Sequence, residues 1–148
     1  MSFHDLIYQL SEKFGTELAV DSNGACQFIV DNTIALQLEP DPSEEHLLVA
    51  SPIFELPPGK FRQEVLAEAL AANANPVPPL ATLCYSQQTS ALILFAYLSM
   101  KNLHIDALSD YLSHFLAIAL DWKNALDVGQ TSPIKTYMTK DQNIDLST

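Results

Sequence analysis

This 148-residue chain is short of the residues that would point to a particular chemistry. Its four glycines are too few and too scattered for a phosphate-cradling loop, and no GxSxG, HExxH or CxxC occurs. The two cysteines, Cys26 and Cys84, lie far apart, each in a strand-like run. They read as small buried hydrophobes of a reducing compartment, not as nucleophiles. Seven basic residues face 18 acidic ones, giving a net charge of −11. Phosphate neutralisation needs clustered Lys and Arg, so the balance argues against nucleic acid and against an anionic membrane surface. The longest apolar run, Ala91 to Leu98, is far short of the ~20 residues of a membrane helix. Asp5 and Glu12 interrupt the N-terminal stretch and no basic region precedes an apolar core, so it does not read as a signal peptide. The histidines, His4, His46, His104 and His114, are isolated in sequence. Asp41, Glu44, Glu45 and His46 cluster without calcium-loop spacing and read as a solvated loop. No metal site and no cofactor site is expected.

What the chain does have is apolar surface. Hydrophobic residues make up 48% of so acidic a sequence, which suggests a single domain that buries much area, some of it against a partner. The run Ile105 to Leu126 organises the rest. On a helical wheel Ile105, Leu108, Leu112, Phe115, Leu116, Ala119, Trp122 and Leu126 share one face, flanked by Tyr111 and Ile118. Asp106, Asp110, Ser113, Ala117, Asp121 and Asn124 share the other. A helix of this kind needs a broad apolar surface to lie on, and the strands upstream can supply it.

A first helix starts at the cap Ser2, with Asp5 in a capping-box-like position, and stops at Gly15. Phe3, Leu6, Ile7, Leu10 and Phe14 form its stripe, and Tyr8 lies off it. After the turn Asp21-Ser22-Asn23-Gly24, two alternating runs, Ala25 to Val30 and Ile34 to Glu39, form a hairpin. Parity fixes its loop. A two-residue loop would put Phe28 and Leu36 on opposite faces. The three-residue loop Asp31-Asn32-Thr33 pairs Val30 with Ile34 and puts Cys26, Phe28, Val30, Ile34, Leu36 and Leu38 on one face. Asn32 or Thr33 should then take the unusual dihedral, Asn being the better candidate. His46 to Phe54 is a third strand, in which Pro52 signals an edge, an end or a bulge. A second helix runs from about Lys60 to Ala74, with one stripe of Phe61, Val65, Ala69 and Ala72 and another of Leu66, Leu70 and Asn73. The stiff connector Pro76 to Pro79 leads to a hairpin, Leu80 to Ser86 and Ser90 to Met100, whose second strand is apolar on both faces. The domain is expected to span residues 1–126, with residues 127–148 a polar, mobile tail.

Helix, three strands, helix, two strands, long helix is an α+β order with an antiparallel sheet packed by helices. In this order, size and acidity the chain resembles the class I chaperones of bacterial type III secretion. The residues that carry the resemblance are Asp21 to Cys26 leading into a hairpin that ends Leu36 to Glu39, the run Val65 to Asn73 of the second helix, and the hairpin Leu83 to Leu98 followed by a helix closing on Trp122. Some spacings also look like chlamydial members. Pro76, Pro78 and Pro79 depart from the glycines that family members often carry before the fourth strand. The resemblance covers about residues 2 to 126. It implies a cytoplasmic homodimer, or a heterodimer with a related chaperone, that binds the N-terminal segment of a secreted effector or gatekeeper protein in extended form. It implies no ATP, no metal, no nucleic acid, no membrane insertion and no catalysis.

Two surfaces follow. Cargo should use apolar residues left outside the core: Tyr8 on the first helix, Ile29 on the first strand and Leu48 on the third, with Ala25 and Ala35 leaving room beside Ile29. The dimer should use the second helix and second hairpin, through Leu66, Leu70, Leu83, Tyr85, Leu92 and Leu94. A small enzyme would need converging polar groups, which are missing. An interaction domain of similar fold outside secretion would differ only in its partner.

Overall fold

The computed structural model describes residues 2–74 and 80–133. The expected Pro76–Pro79 connector, and residues 134–148 of the expected tail, lie outside them. The first helix, α1, is Phe3–Phe14. The Ser2 hydroxyl accepts from the Asp5 N–H at 3.2 Å, and Gly15 closes the helix in the left-handed region at φ 66°. Phe3, Leu6, Ile7 and Leu10 are buried. The following turn is built by Asp21, whose carboxylate accepts from the N–H groups of Asn23 and Ala25.

Strands β1 (Cys26–Val30) and β2 (Ile34–Pro40) pair Val30 with Ile34, the expected register. Cys26, Leu36 and Leu38 are accordingly buried on one face with Ile34. The loop differs in detail. Positive φ falls on Asp31 and Asn32, not Thr33, and the Thr33 N–H closes the turn onto the Val30 carbonyl at 3.0 Å. A β-branched residue strains most at positive φ, so the two Asx residues carry it.

Strand β3 is His46–Glu55, α2 is Lys60–Asn73, β4 is Thr82–Ser86, β5 is Ala91–Ser99 and α3 is Ile105–Asp127. The sheet is antiparallel throughout, in the order β1-β2-β3-β5-β4. Pro52 therefore lies in a central strand, where a missing N–H is costly. The register with β5 shifts between Pro52 and Phe54, so of the three outcomes Pro52 signalled, the bulge is the one found. On the other side, continuing the β2–β3 register would set Ala35 opposite Pro52. The buried Ser51 hydroxyl donates to the Ala35 carbonyl at 2.7 Å instead.

Helix α3 lays Leu108, Leu112, Phe115, Ala119, Trp122 and Leu126 on the sheet face that carries Leu36, Leu38, Leu47 and Val49, and α1 packs beside it. Tyr111 is held at the flank. Its hydroxyl donates to the Leu80 carbonyl at 2.7 Å, and burial pushes its pKa up to about 12. Helix α2 buries Val65 and Ala69 and sits along β4. Past α3, Ser132 is buried.

Candidate protein-binding site

Among the described residues, the apolar surface outside this core includes three areas around the sheet and α1. The first is a cleft of about 450 Å³ between α1 and the segment after it, lined by Ile7, Tyr8, Ser11, Glu12, Leu18 and Val20 among others. Tyr8 is 66% exposed, and the Glu12 carboxylate accepting from its hydroxyl raises its pKa. The Ser11 hydroxyl accepts from the Leu18 N–H at 3.0 Å, which fixes the cleft wall. The second cleft, about 280 Å³, is lined by Phe14, Phe28, Ile29, Val30 and Leu116. Ile29 is 66% exposed; Phe14 and Phe28 stack edge-on at 6.3 Å. Thr16 and Leu18 line both clefts, so one segment separates two neighbouring apolar hollows. The edge of β1 borders the second. Antiparallel strands bond through alternate residues. With Val30 turned toward β2, Gln27 and Ile29 turn their peptide groups to the outside.

The third area is the sheet face opposite α3. Leu48 stands directly across from Tyr97, and Ala50 from Phe95. Tyr97 is 63% exposed and meets Phe95 edge-on at 6.1 Å.

The expected cargo residues are thus spread over these areas. Tyr8 and Ile29 sit in adjacent clefts. Ala35 is exposed opposite Ile29, and Leu48 is half-buried two strands further on. Ala25 is a correction: it is buried. It precedes the strand and is tied to Asp21 by two hydrogen bonds, so the turn and not the pleat orients it. Phe14 and Tyr97 were missed. Phe14 closes the α1 stripe but overhangs the helix end. Tyr97 shares a face with Ile93 and Phe95, which two-residue alternation along β5 could have shown.

The expected dimer residues need a larger correction. Leu83, Leu92 and Leu94 are 6%, 0% and 1% exposed, and so have no surface to give a second copy. They are partners across the β4–β5 ladder, Leu83 with Leu94 and Tyr85 with Leu92, on the face turned to the core. Tyr85 is half-buried under Arg62, which donates to its hydroxyl at 2.5 Å. Leu66 is partly buried against the core, whereas Leu70 is 69% exposed.

Among the described residues the polar groups do not converge on a reaction centre. Asp41 accepts from the N–H groups of Glu45 and His46 and from Ser43, and faces the His46 ring at 3.2 Å. These bonds, the His46 N–H first, hold its carboxyl below the ordinary range and organise the loop. Burial pushes both free thiols up, which makes them poor nucleophiles. Among the described residues no group of three or more His, Cys, Asp or Glu could hold a metal, and no helix is long and apolar enough to cross a membrane.

The sequence model of the Tir chaperone protein (CesT) family matches residues 5–123. The chain belongs to the CesT family. The family match runs from the first turn of α1 to the last turn of α3, so the open β1 edge and, His4 apart, the lining of both clefts lie within it. Comparison with curated proteins gave no match. Among solved structures the HopA1-SchA chaperone-effector complex contains a chain 24% identical, with a TM-score of 0.66 over 83% of this chain and 94% of that one. The Yersinia pestis type III secretion chaperone SycH, in complex with a fragment of YscM2, gives 16% identity and a TM-score of 0.62 over 78% of this chain and 95% of the matched one. YbjN of E. coli, proposed to regulate transcription, shares the fold at 16% identity and a TM-score of 0.58, over 84% and 91%. At these identities the likeness shows the α+β fold, and the CesT family match carries the chaperone class.

Proposed function

We propose that this CesT-family chain is a type III secretion chaperone that holds the N-terminal segment of a secreted effector or gatekeeper protein in extended form, ready for export. It works in the bacterial cytoplasm, without ATP and without catalysis. The observation that carries the reading is the open β1 edge bordering one apolar cleft, with a second apolar cleft next to it. An extended segment can bond its main chain to a sheet edge and place alternate side chains in neighbouring hollows. Tyr8 and Ile29 are the anchors of these hollows, with Ala35 beside Ile29 giving room for a cargo side chain. Leu48, with Tyr97, extends the apolar surface across the opposite face.

The protein acts as a dimer, with itself or with a related chaperone. Leu70 is the exposed anchor on α2, Leu66 lies beside it, and Tyr85 stands at the adjoining strand. The test is co-purification of the full chain from its native cytoplasm, with mass spectrometry of what remains bound. A bound secreted protein, protected from proteolysis over its N-terminal segment, is the expected result. Recovery of partners unrelated to secretion would move the chain to the rival reading, an interaction domain of the same fold, which YbjN keeps open by sharing that fold.

A further inference from the structure

The two edges of the sheet are not alike. Along β1 no side chain among the described residues bonds to the outward peptide groups of Gln27 and Ile29. Along β4 the equivalent groups meet a side chain. Asn73, the last residue of α2, donates from Nδ2 to the Leu83 carbonyl at 2.8 Å and accepts at Oδ1 from the Leu83 N–H at 2.9 Å. One donor and one acceptor, set against the N–H and C=O of a single residue, is what the next strand of a sheet would present. Arg62, about three turns back along the same face of α2, lies over the Tyr85 ring and donates to the Leu56 carbonyl at 3.4 Å, which keeps the helix along the strand. β4 has only five residues, so closing one of its outward peptides interrupts the edge.

We propose that Asn73 decides which edge of the sheet accepts an incoming strand: its amide closes the β4 edge and reserves the β1 edge for one extended segment per chain. An open edge is a template for pairing with another chain, and natural sheets cover or charge the edges they must protect. Here the cover is one side-chain amide at the end of a helix. The identity of the strand that pairs with β1 rests on the chaperone reading; the closure of β4 is a property of the free chain.

The experiment therefore uses the full chain without cargo. Asn73→Ala, Asn73→Ser and Asn73→Asp are compared with the unmutated protein by sedimentation velocity over a concentration series, with amide exchange at Leu83 and Ile29. Neither Ala nor Ser can bridge the Leu83 peptide. In both, Leu83 exchange should rise at least tenfold with Ile29 unchanged, and species larger than those of the unmutated protein should form as concentration rises. Asn73→Asp keeps the acceptor, loses the donor and puts a charge on the edge. It should lose thermal stability as Asn73→Ala does, yet stay at the unmutated size, because an edge charge resists strand pairing. Should Asn73→Ala fail to fold, the Ser and Asp variants carry the same comparison. If the folded Ala or Ser variant keeps the unmutated size, or if the Asp variant associates as they do, Asn73 is only a tether and the proposal falls. Because no cargo enters this experiment, that result would leave the chaperone reading where it stands.

Discussion

The hydroxyl of Ser51 donates to the carbonyl of Ala35 across β2 and β3, at the place where Pro52 has no N–H to offer. The Ser51 side chain is buried and the bond half-buried. Ser51→Ala should therefore cost about 0.5–1.5 kcal/mol, the net worth of one hydrogen bond. Urea unfolding at unchanged slope is the measurement. A loss well under that range would mean that water reaches the Ala35 carbonyl.

The cargo surface can be tested without touching the core. Ile29 and Leu48 face away from α3, so Ile29→Asp and Leu48→Asp should leave the melting temperature nearly unchanged. Each should weaken binding of the co-purified segment by more than ~1 kcal/mol, as anchor residues do. Titration calorimetry decides it. Unaltered affinity in both variants would place the cargo elsewhere.

Leu70→Asp addresses the dimer. With its side chain 69% exposed in one chain, Leu70 contributes little to the fold. The variant should keep the unmutated circular dichroism and appear as a monomer by light scattering at micromolar concentration. An interface of standard size buries roughly 1,600 Å² in total, and a charge in its centre is not tolerated. If the unmutated chain itself is monomeric at that concentration, the dimer is wrong.

Asp41 supplies a pH dependence. Its hydrogen bonds lower the folded-state pKa below the ordinary 3.8. The sign follows from linkage: the carboxylate binds protons less readily when folded, so its contribution is full above the unfolded value and is lost as pH falls through the depressed one. Asp41→Ala should thus melt below the unmutated protein at neutral pH, and the two should converge in acid below that value. A gap that persists unchanged in acid would show that the loop is held by something other than the charge.

The fold was legible where periodicity was strong. The α3 wheel, the α1 cap and stop, and the parity argument for the first hairpin each depended on local spacing, and spacing survives folding. The dimer residues were not legible for the same physical reason. β5 is apolar on both faces, so nothing in its sequence says which face the helices take. That is decided by β3, which binds β5 from a distance in sequence, and by the bulge at Pro52. Ala25 failed because a turn and not a pleat orients it. The clefts at Tyr8 and Ile29 were half-legible: each residue stood off its stripe, but the segment through Thr16 and Leu18 that walls both hollows has no periodic signal of its own.

The ladder between β3 and β5 has a kinetic consequence. Glu55 meets Ala91 and His46 meets Ser99, so this central seam cannot zip until α2 and β4 have been looped out between them. The hairpins β1–β2 and β4–β5 close over short loops and can form within microseconds. The seam has to pay loop-closure entropy first, and chains dominated by such distant pairings fold slowly. Until it closes, β3 and β5 both present naked edges, and the nascent protein passes through an interval in which it is itself the kind of extended, aggregation-prone chain that needs shielding.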